Sequence, residues 1–325
     1  MRWVASALRH PYSTCPMEND SQRHHYYAMY SSAGGRITTN PDEMVVPIDD
    51  HMVHRGDGVF ETLKYLEGGI YNLEAHLSRL LNSAEQIRLS SPWSLAELSN
   101  ILCHTARASC TENGLIRVLL SRGPGSMGVS PHDCPEPGLY VMAYRLPPPF
   151  MTLHPAGGSA MRSRYPVKAG FLAQVKSCNY LLNALMKMEA VDGGTDFVFA
   201  FDEEHRLAEG PTESVGLVSD QGELLVPHPD RILPGTTMER ILELAPQSIE
   251  SGILAGVQRC HLSEADLAHA AEVLIFGTTV NVTAVTRYEG ALIGAGKPGP
   301  VQAHLDKLLQ DDILHNSTKR TLVKG

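Results

Sequence analysis

No stretch of this sequence concentrates positive charge: 27 Lys and Arg residues stand against 36 Asp and Glu, for a formal net charge of −9, and no basic stripe emerges. Nucleic acid and anionic membrane both need clustered cations, so neither is expected as a partner. Long apolar runs are also missing, none approaching the roughly 20 residues of a membrane-spanning helix. Cysteine is sparse. Its six copies, Cys15, Cys103, Cys110, Cys134, Cys178 and Cys260, form no C-x-x-C pair. That argues against a zinc site and a disulfide framework, and for reduced thiols in a reducing, cytoplasmic compartment. Internal repeats and low-complexity tracts are absent as well.

What the chain does have is length, 325 residues, enough for two domains with a real core. Residues 1–29 read as a poorly ordered extension. Within Met1–Pro16, Arg2 and Arg9 stand without an acid, a faint organellar-targeting pattern, and Met17 is an alternative start. The cluster Pro147-Pro148-Pro149 continues neither helix nor sheet. Residues 146–155 therefore read as a linker between a small N-terminal α/β domain, 30–145, and a larger C-terminal domain, 156–325.

Strands are expected at 44–48, 58–66, 115–121 and 139–144. After Asn72, Leu73, Leu77, Leu80, Ala84 and Ile87 recur at helical spacing and mark one buried stripe. The second half predicts a helix over 179–190, with Leu182, Leu185, Met186 and Met188 as its apolar set, and a strand at 196–201. Segments 214–218 and 223–226 flank Asp220-Gln221-Gly222 as a hairpin. A short helix after Gly235, a capped helix from Ser263, a strand at 272–276 and a hairpin turning at Glu289-Gly290 follow. The alternation implies a mixed α/β chain in two lobes.

Chemistry concentrates at a few points. Lys176 has apolar residues before it and a helix directly after. Burial there lowers the pKa of an amine and frees it to attack a carbonyl; the other reading is a lysine snorkelling at a strand end. Lys168 is its rival, in a polar loop beside Gly170 that suggests exposure. Glu209, before Gly210-Pro211, is either an ordinary turn acid or a carboxylate that keeps a heterocyclic nitrogen protonated by pairing with it. Leu233-Pro234-Gly235-Thr236-Thr237 and Phe276-Gly277-Thr278-Thr279 each offer glycine, free backbone N–H groups and hydroxyls, the equipment for a phosphate. His76 and Arg79 border the buried stripe, so the guanidinium points either inward or to solvent. Arg117 alternates onto the strand face of Leu115 and Leu119, where a cation calls for an anion: a substrate carboxylate, or an internal acid such as Glu61. A lysine for imine chemistry, an acid for a ring nitrogen, and an arginine with two Gly-Thr loops for one phosphate together make the inventory for pyridoxal phosphate. No metal ligands are expected.

These segments also fall in a recognisable order. Gly56-Asp57-Gly58-Val59-Phe60-Glu61, His76-Leu77-Ser78-Arg79-Leu80, Lys176-Ser177-Cys178-Asn179, Glu209-Gly210, Leu233 to Thr237, Gly277-Thr278-Thr279 and Gly299-Pro300 resemble the class IV, fold-type IV pyridoxal-phosphate family. That family comprises branched-chain aminotransferases, D-amino-acid aminotransferases and 4-amino-4-deoxychorismate lyases, and the likeness runs from about Ile37 to Leu308. Pro47 to Gly56 is similar in particular to the plant D-amino-acid branch. The resemblance implies a small N-terminal and a larger C-terminal α/β domain enclosing the cofactor, pyridoxal 5'-phosphate. It implies Lys176 as the covalent lysine and proton carrier, and Glu209 as partner of the ring nitrogen. Arg79, Thr237 and Thr278 are implied on the phosphate with the amides of Thr236 and Thr279, and Tyr180 beside the cofactor. Phe60, Arg55, Arg117, Met127 and Val129 are the substrate-pocket candidates. A homodimer with pocket residues from both subunits is implied, acting on an amino acid, branched-chain or D-, and a 2-oxo acid. Ser214 stands where asparagine is usual, Met238 where an arginine is, and Met127 and Val129 where bacterial D-amino-acid enzymes carry an Arg-x-His carboxylate trap. The alternative activity is the lyase reaction, releasing pyruvate and 4-aminobenzoate. Met127 in place of a lyase-type arginine favours amino transfer.

Overall fold

A computed structural model describes residues 25–323 of the chain. Cys15, Met17 and the Met1–Pro16 stretch lie outside the described residues. In the first half, β1 (Tyr26–Ser31), β2 (Arg36–Thr38), β3 (Gly58–Leu66), β4 (Gly69–Tyr71), β5 (Gly114–Ser121) and β6 (Gly138–Tyr144) form an antiparallel sheet. Two helices cover one face of it, α2 (Leu73–Gln86) and α3 (Leu95–Ala108); the five-residue α1 (His51–Arg55) precedes β3. The stripe Leu73, Leu77, Leu80 and Ala84 is buried against Val59, Leu63, Ile116 and Leu120. This periodic match between a helix stripe and the alternate residues of β3 and β5 makes the first core.

The short helix α4 (Phe150–Leu153) leads into the second half. There, β7 (Gly158–Arg162), β8 (Phe197–Phe199), β9 (Ser214–Val218), β10 (Glu223–Pro227), β11 (Gly256–Cys260), β12 (Glu272–Gly277) and β13 (Asn281–Tyr288) make a mixed sheet in the order β11-β10-β9-β12-β13-β7-β8, with β14 (Ala291–Leu292) on β13. Helices α5 (Leu181–Asp192), α6 (Thr236–Glu250), α7 (Glu264–His269) and α8 (Pro300–His315) pack about it. Apolar clusters fill both of its faces. The chain then returns: β15 (Arg320–Leu322) pairs with β4 and extends the first sheet to seven strands.

Several expectations are corrected. β15 belongs with the first sheet, so the division at 156–325 is crossed by the last described strand. β1 begins inside the expected 1–29 extension, where Ala28 and Met29 are buried. The expected linker, 146–155, contains α4. Residues 44–48 form no strand: Val45 and Ile48 are exposed, and Pro47 withholds a donor. Met188 is exposed, and the buried face of α5 carries Met186, Glu189 and Ala190, the glutamate accepting from Ser163 Oγ at 2.8 Å and Arg164 Nε at 2.8 Å. The helix after Gly235 runs 15 residues. No helix among the described residues is long and apolar enough to cross a membrane.

Candidate active site

Lys176 belongs to the second half of the chain but is fixed by the first. Its carbonyl accepts from Phe60 N at 3.0 Å, the N–H of Cys178 donates to Gly58 O at 2.7 Å, and Val59 and Ser177 form a β-bridge. The N–H of Lys176 itself donates to Ser83 Oγ on α2, at 3.2 Å. The approach is close enough to explain the glycines. Gly56 has φ +64°, and a Cβ there would stand 2.8 Å from the Asn179 backbone; a Cβ on Gly58 would stand 3.4 Å from Cys178 Sγ on this segment and, on its other side, 2.9 Å from Leu120 O of β5. The lysine thus sits at the seam of the lobes, on a segment pinned along β3, directly before α5.

A cavity of about 350 Å³ opens at that seam. It brings together Lys176, Arg79, Glu209, Thr236, Thr237, Thr278, Thr279, Tyr180, Phe60 and Arg117. Lys168 lines it too and is partly buried, contrary to the exposure its loop suggested. Arg55, Met127 and Val129 do not line it: Met127 and Val129 are 67% and 83% exposed, and an Arg55 guanidinium nitrogen donates to Met127 O.

The Arg79 guanidinium points inward. Nε and one terminal nitrogen donate to the two oxygens of Glu61, at 2.6 and 2.7 Å, and the other terminal nitrogen donates to Pro234 O at 2.8 Å. One N–H therefore remains on each terminal nitrogen. Glu61 is fully buried; although burial opposes its charge, the Arg79 cation and the His76 hydrogen bond hold its carboxyl down at about 2. His76 Nδ1 lies 2.8 Å from Glu61, and its Nε2 lies 3.3 Å from Thr236 Oγ1. Burial lowers the His76 pKa, so its neutral ring donates to the carboxylate and accepts from the hydroxyl. The chain Arg79–Glu61–His76–Thr236 joins β3, α2 and the start of α6. This corrects the alternative in which Glu61 neutralises Arg117. Arg117 is registered opposite Thr62 and Glu61 opposite Val118, so the two side chains leave opposite faces of the sheet.

Arg117 shares its face with Leu115 and Leu119, as expected, and on β3 with Phe60, Thr62 and Lys64, so the face is mixed rather than wholly apolar; its Nε donates to Thr62 Oγ1 at 3.3 Å. Lys64 is buried and donates to Asn281 Oδ1, whose residue closes the Gly277–Thr279 turn at φ +54°. Sequence reading missed this contact, since its partners lie 217 residues apart. Phe60 and Tyr180 meet edge to face at 5.0 Å between centroids, and Lys176 Nζ stands 4.8 Å from the first ring and 5.7 Å from the second.

The electrostatics of the cavity are uneven. Burial, reinforced by the Arg79 cation, lowers Lys176 to about 8, although Glu61 and Glu209 pull the other way. Glu209 accepts from Leu233 N at 3.2 Å and makes no ion pair among the described residues; desolvation pushes it up to about 7. The first turn of α6 has no side-chain cap behind Gly235, which leaves its N–H groups open for an anion. Ser214 Oγ lies beneath Gly235, 2.2 Å from where a Cβ would stand, and Met238 is fully buried in the core.

With this geometry established, the comparisons are specific. The sequence model of the family amino-transferase class IV matches residues 58–288. The chain belongs to that family. The D-amino-acid transaminase, chloroplastic, of Arabidopsis thaliana is 38% identical over 288 residues, covering 88% of this chain and 76% of that protein. The putative branched-chain-amino-acid aminotransferase of Methanocaldococcus jannaschii is 29% identical over 272 residues, covering 82% and 90%. Among solved structures, the T.th. branched-chain amino acid aminotransferase complexed with N-(5'-phosphopyridoxyl)-L-glutamate superposes with TM-score 0.83 at 25% identity, covering 92% of this chain and 99% of that one. The branched-chain aminotransferase from Escherichia coli gives TM-score 0.82 at 25% identity, with 92% and 100% covered.

The class IV fold uses pyridoxal 5'-phosphate, and the donor set here fits it. A lysine of lowered pKa and a carboxylate without a cationic partner face one cavity. Uncapped helix N–H groups, threonine hydroxyls and two free guanidinium N–H groups belong to residues that line it. Among the described residues no group of three His, Cys, Asp or Glu side chains is placed to hold a metal.

Proposed function

We propose that this aminotransferase works through Lys176, Glu209, Arg79 and the two Gly-Thr loops, with a D-amino acid as donor and a 2-oxo acid as acceptor. The convergence of Lys176 and Glu209 on one cavity between the lobes carries the reading of the site. The 38% identity to the plant D-amino-acid transaminase supports the donor. A branched-chain donor is the second reading, favoured by the superposition on branched-chain enzymes.

When bound, pyridoxal 5'-phosphate supplies an aldehyde for an amine and a ring that takes up electrons from the substrate α-carbon. Lys176 Nζ holds the cofactor covalently and, once released by the incoming amine, carries the proton at the substrate α-carbon. Glu209 keeps the ring nitrogen protonated. Arg79, Thr237 and Thr278, with the amides of Thr236 and Thr279, hold the phosphate at the start of α6. Phe60 and Tyr180 wall the reacting carbon from water, and Arg117 receives the second carboxylate of a dicarboxylic substrate.

Met127 and Val129 enter this scheme through a second copy of the chain. Their loop is braced from α1, with His51 Nε2 at 2.8 Å from Ser126 O and Arg55 on Met127 O, yet it presents apolar side chains to solvent. In the homodimer, the loop closes the partner's cavity. Five unpaired cysteines among the described residues support a reducing, cytoplasmic location.

The test is a panel of D- and L-amino acids with pyruvate or 2-oxoglutarate, alongside aminodeoxychorismate. Transfer from D-amino acids is expected. Transfer from branched-chain L-amino acids alone would establish the second reading, and cleavage of aminodeoxychorismate without amino transfer would overturn both.

A further inference from the structure

Four cations line the cavity, and three of them already have roles: Arg79 is locked by Glu61 and Pro234, Lys176 is the reacting amine, and Arg117 rests on Thr62 and over the Phe60 ring at 5.1 Å. Lys168 is the fourth. Its side chain makes no hydrogen bond or ion pair among the described residues, and its ammonium stands 5.0 Å from the centroid of the Tyr180 ring. The same ring is approached by Lys176 at 5.7 Å, so Lys168 and the reacting amine flank one aromatic wall. An ammonium has three donors, and one held partly buried against an aromatic face with none of them used is a site awaiting an acceptor. Every amino donor and every 2-oxo acceptor carries a carboxylate on the carbon that reacts. The cavity must therefore receive an anion close to Lys176 whatever the side chain, and desolvating that anion without a cation would be costly.

We propose that Lys168 binds the α-carboxylate of the substrate and so orients the reacting carbon towards Lys176. The proposal rests on the amino-transfer reading and assigns Lys168 a role distinct from that of Arg117. An α-carboxylate is common to all substrates, whereas a second carboxylate belongs to the dicarboxylic ones alone. Loss of a charge-assisted contact of this kind weakens binding by about tenfold to a hundredfold.

Holoenzyme carrying Lys168→Gln, Lys168→Arg or Arg117→Met decides it. In Lys168→Gln, KM for pyruvate and for 2-oxoglutarate should rise together by about tenfold or more. Calorimetric affinity for propionate should fall by a similar factor, and pyridoxal-phosphate affinity should stay within about threefold of wild type. Lys168→Arg should recover most of the loss, and Arg117→Met should penalise 2-oxoglutarate alone. Unchanged KM values in Lys168→Gln, a loss confined to 2-oxoglutarate, or a fall in cofactor affinity that accounts for the whole effect would overturn the assignment, the last by making Lys168 a partner of Glu209. Failure of the underlying reading looks different, because wild-type holoenzyme would then transfer no amino group to either 2-oxo acid.

Discussion

Lys176 has to be neutral to bond a carbonyl, and an ordinary lysine at 10.5 is almost wholly protonated near neutral pH; the cavity answers this with burial and the Arg79 cation, bringing the amine to about 8. An amine lowered in this way is protonated below about 8 and free above it. Capture of pyridoxal phosphate by cofactor-stripped protein, followed by stopped-flow absorbance, should accelerate with pH, inflect near 8 and level off above it, whereas a limb near 10.5 would mean an amine in contact with bulk water. Arg79 makes a second case at this scale. Three of its N–H groups are committed to Glu61 and Pro234, so the guanidinium is oriented before any phosphate arrives. Lysine reproduces neither the fork nor that orientation. Arg79→Lys should lower pyridoxal-phosphate affinity by about tenfold to a hundredfold, with activity largely restored by excess cofactor. Equal affinities in mutant and wild type would confine Arg79 to bracing Glu61.

Among the elements, the one to which we assign the chemistry is the short segment from Lys176 to Asn179, laid along β3. Gly56 is what lets it lie there. Gly56→Ala should strain a backbone at φ +64° and drive a methyl into the Asn179 backbone, whereas Gly35→Ala, at φ +60° with nothing within 4 Å, bears the backbone strain alone. The expected result is a Tm loss of several degrees and slowed cofactor capture for Gly56→Ala, and a smaller Tm loss with normal capture for Gly35→Ala. Matching behaviour of the two would contradict the close approach. Elements with local signatures were legible in the sequence: β3, β5, β6, α2 and the hairpin of β9 and β10 show their periodicity or turn residues. The lysine, Glu209 and Gly-Thr segments stand out because each joins chain punctuation to an unusual polar residue. What depends on distant pairing was not legible. β15 is three residues long and pairs with a strand about 250 residues earlier in the chain, and Glu61 stood open as an alternative partner for Arg117 because only the sheet faces decide it. Buried Gln302 and Asp312 interrupt the stripe of α8, and α3 went unread although the Ser94–Glu97 capping box at its start was there to be found.

The molecule as a whole places the proposed site residues where two sheets meet, with β15 returning to bind residues 320–322 to the first lobe. Met127 and Val129 stand exposed on a loop at 126–130 that is braced from α1, one of the apolar surfaces that a single chain leaves open among the described residues. Light scattering should give a dimer. Val129→Asp should shift it towards monomer and depress turnover while pyridoxal phosphate remains bound; a monomeric wild type with full activity would remove Met127 and Val129 from the pocket. All of this depends on Lys176 being the residue that holds the cofactor. Borohydride reduction of the cofactor-loaded protein followed by peptide mapping tests that most directly. A pyridoxyl group on Lys176 alone is the predicted result, and a pyridoxyl group on Lys168, Lys64 or Lys187 with Lys176 unmodified would contradict it.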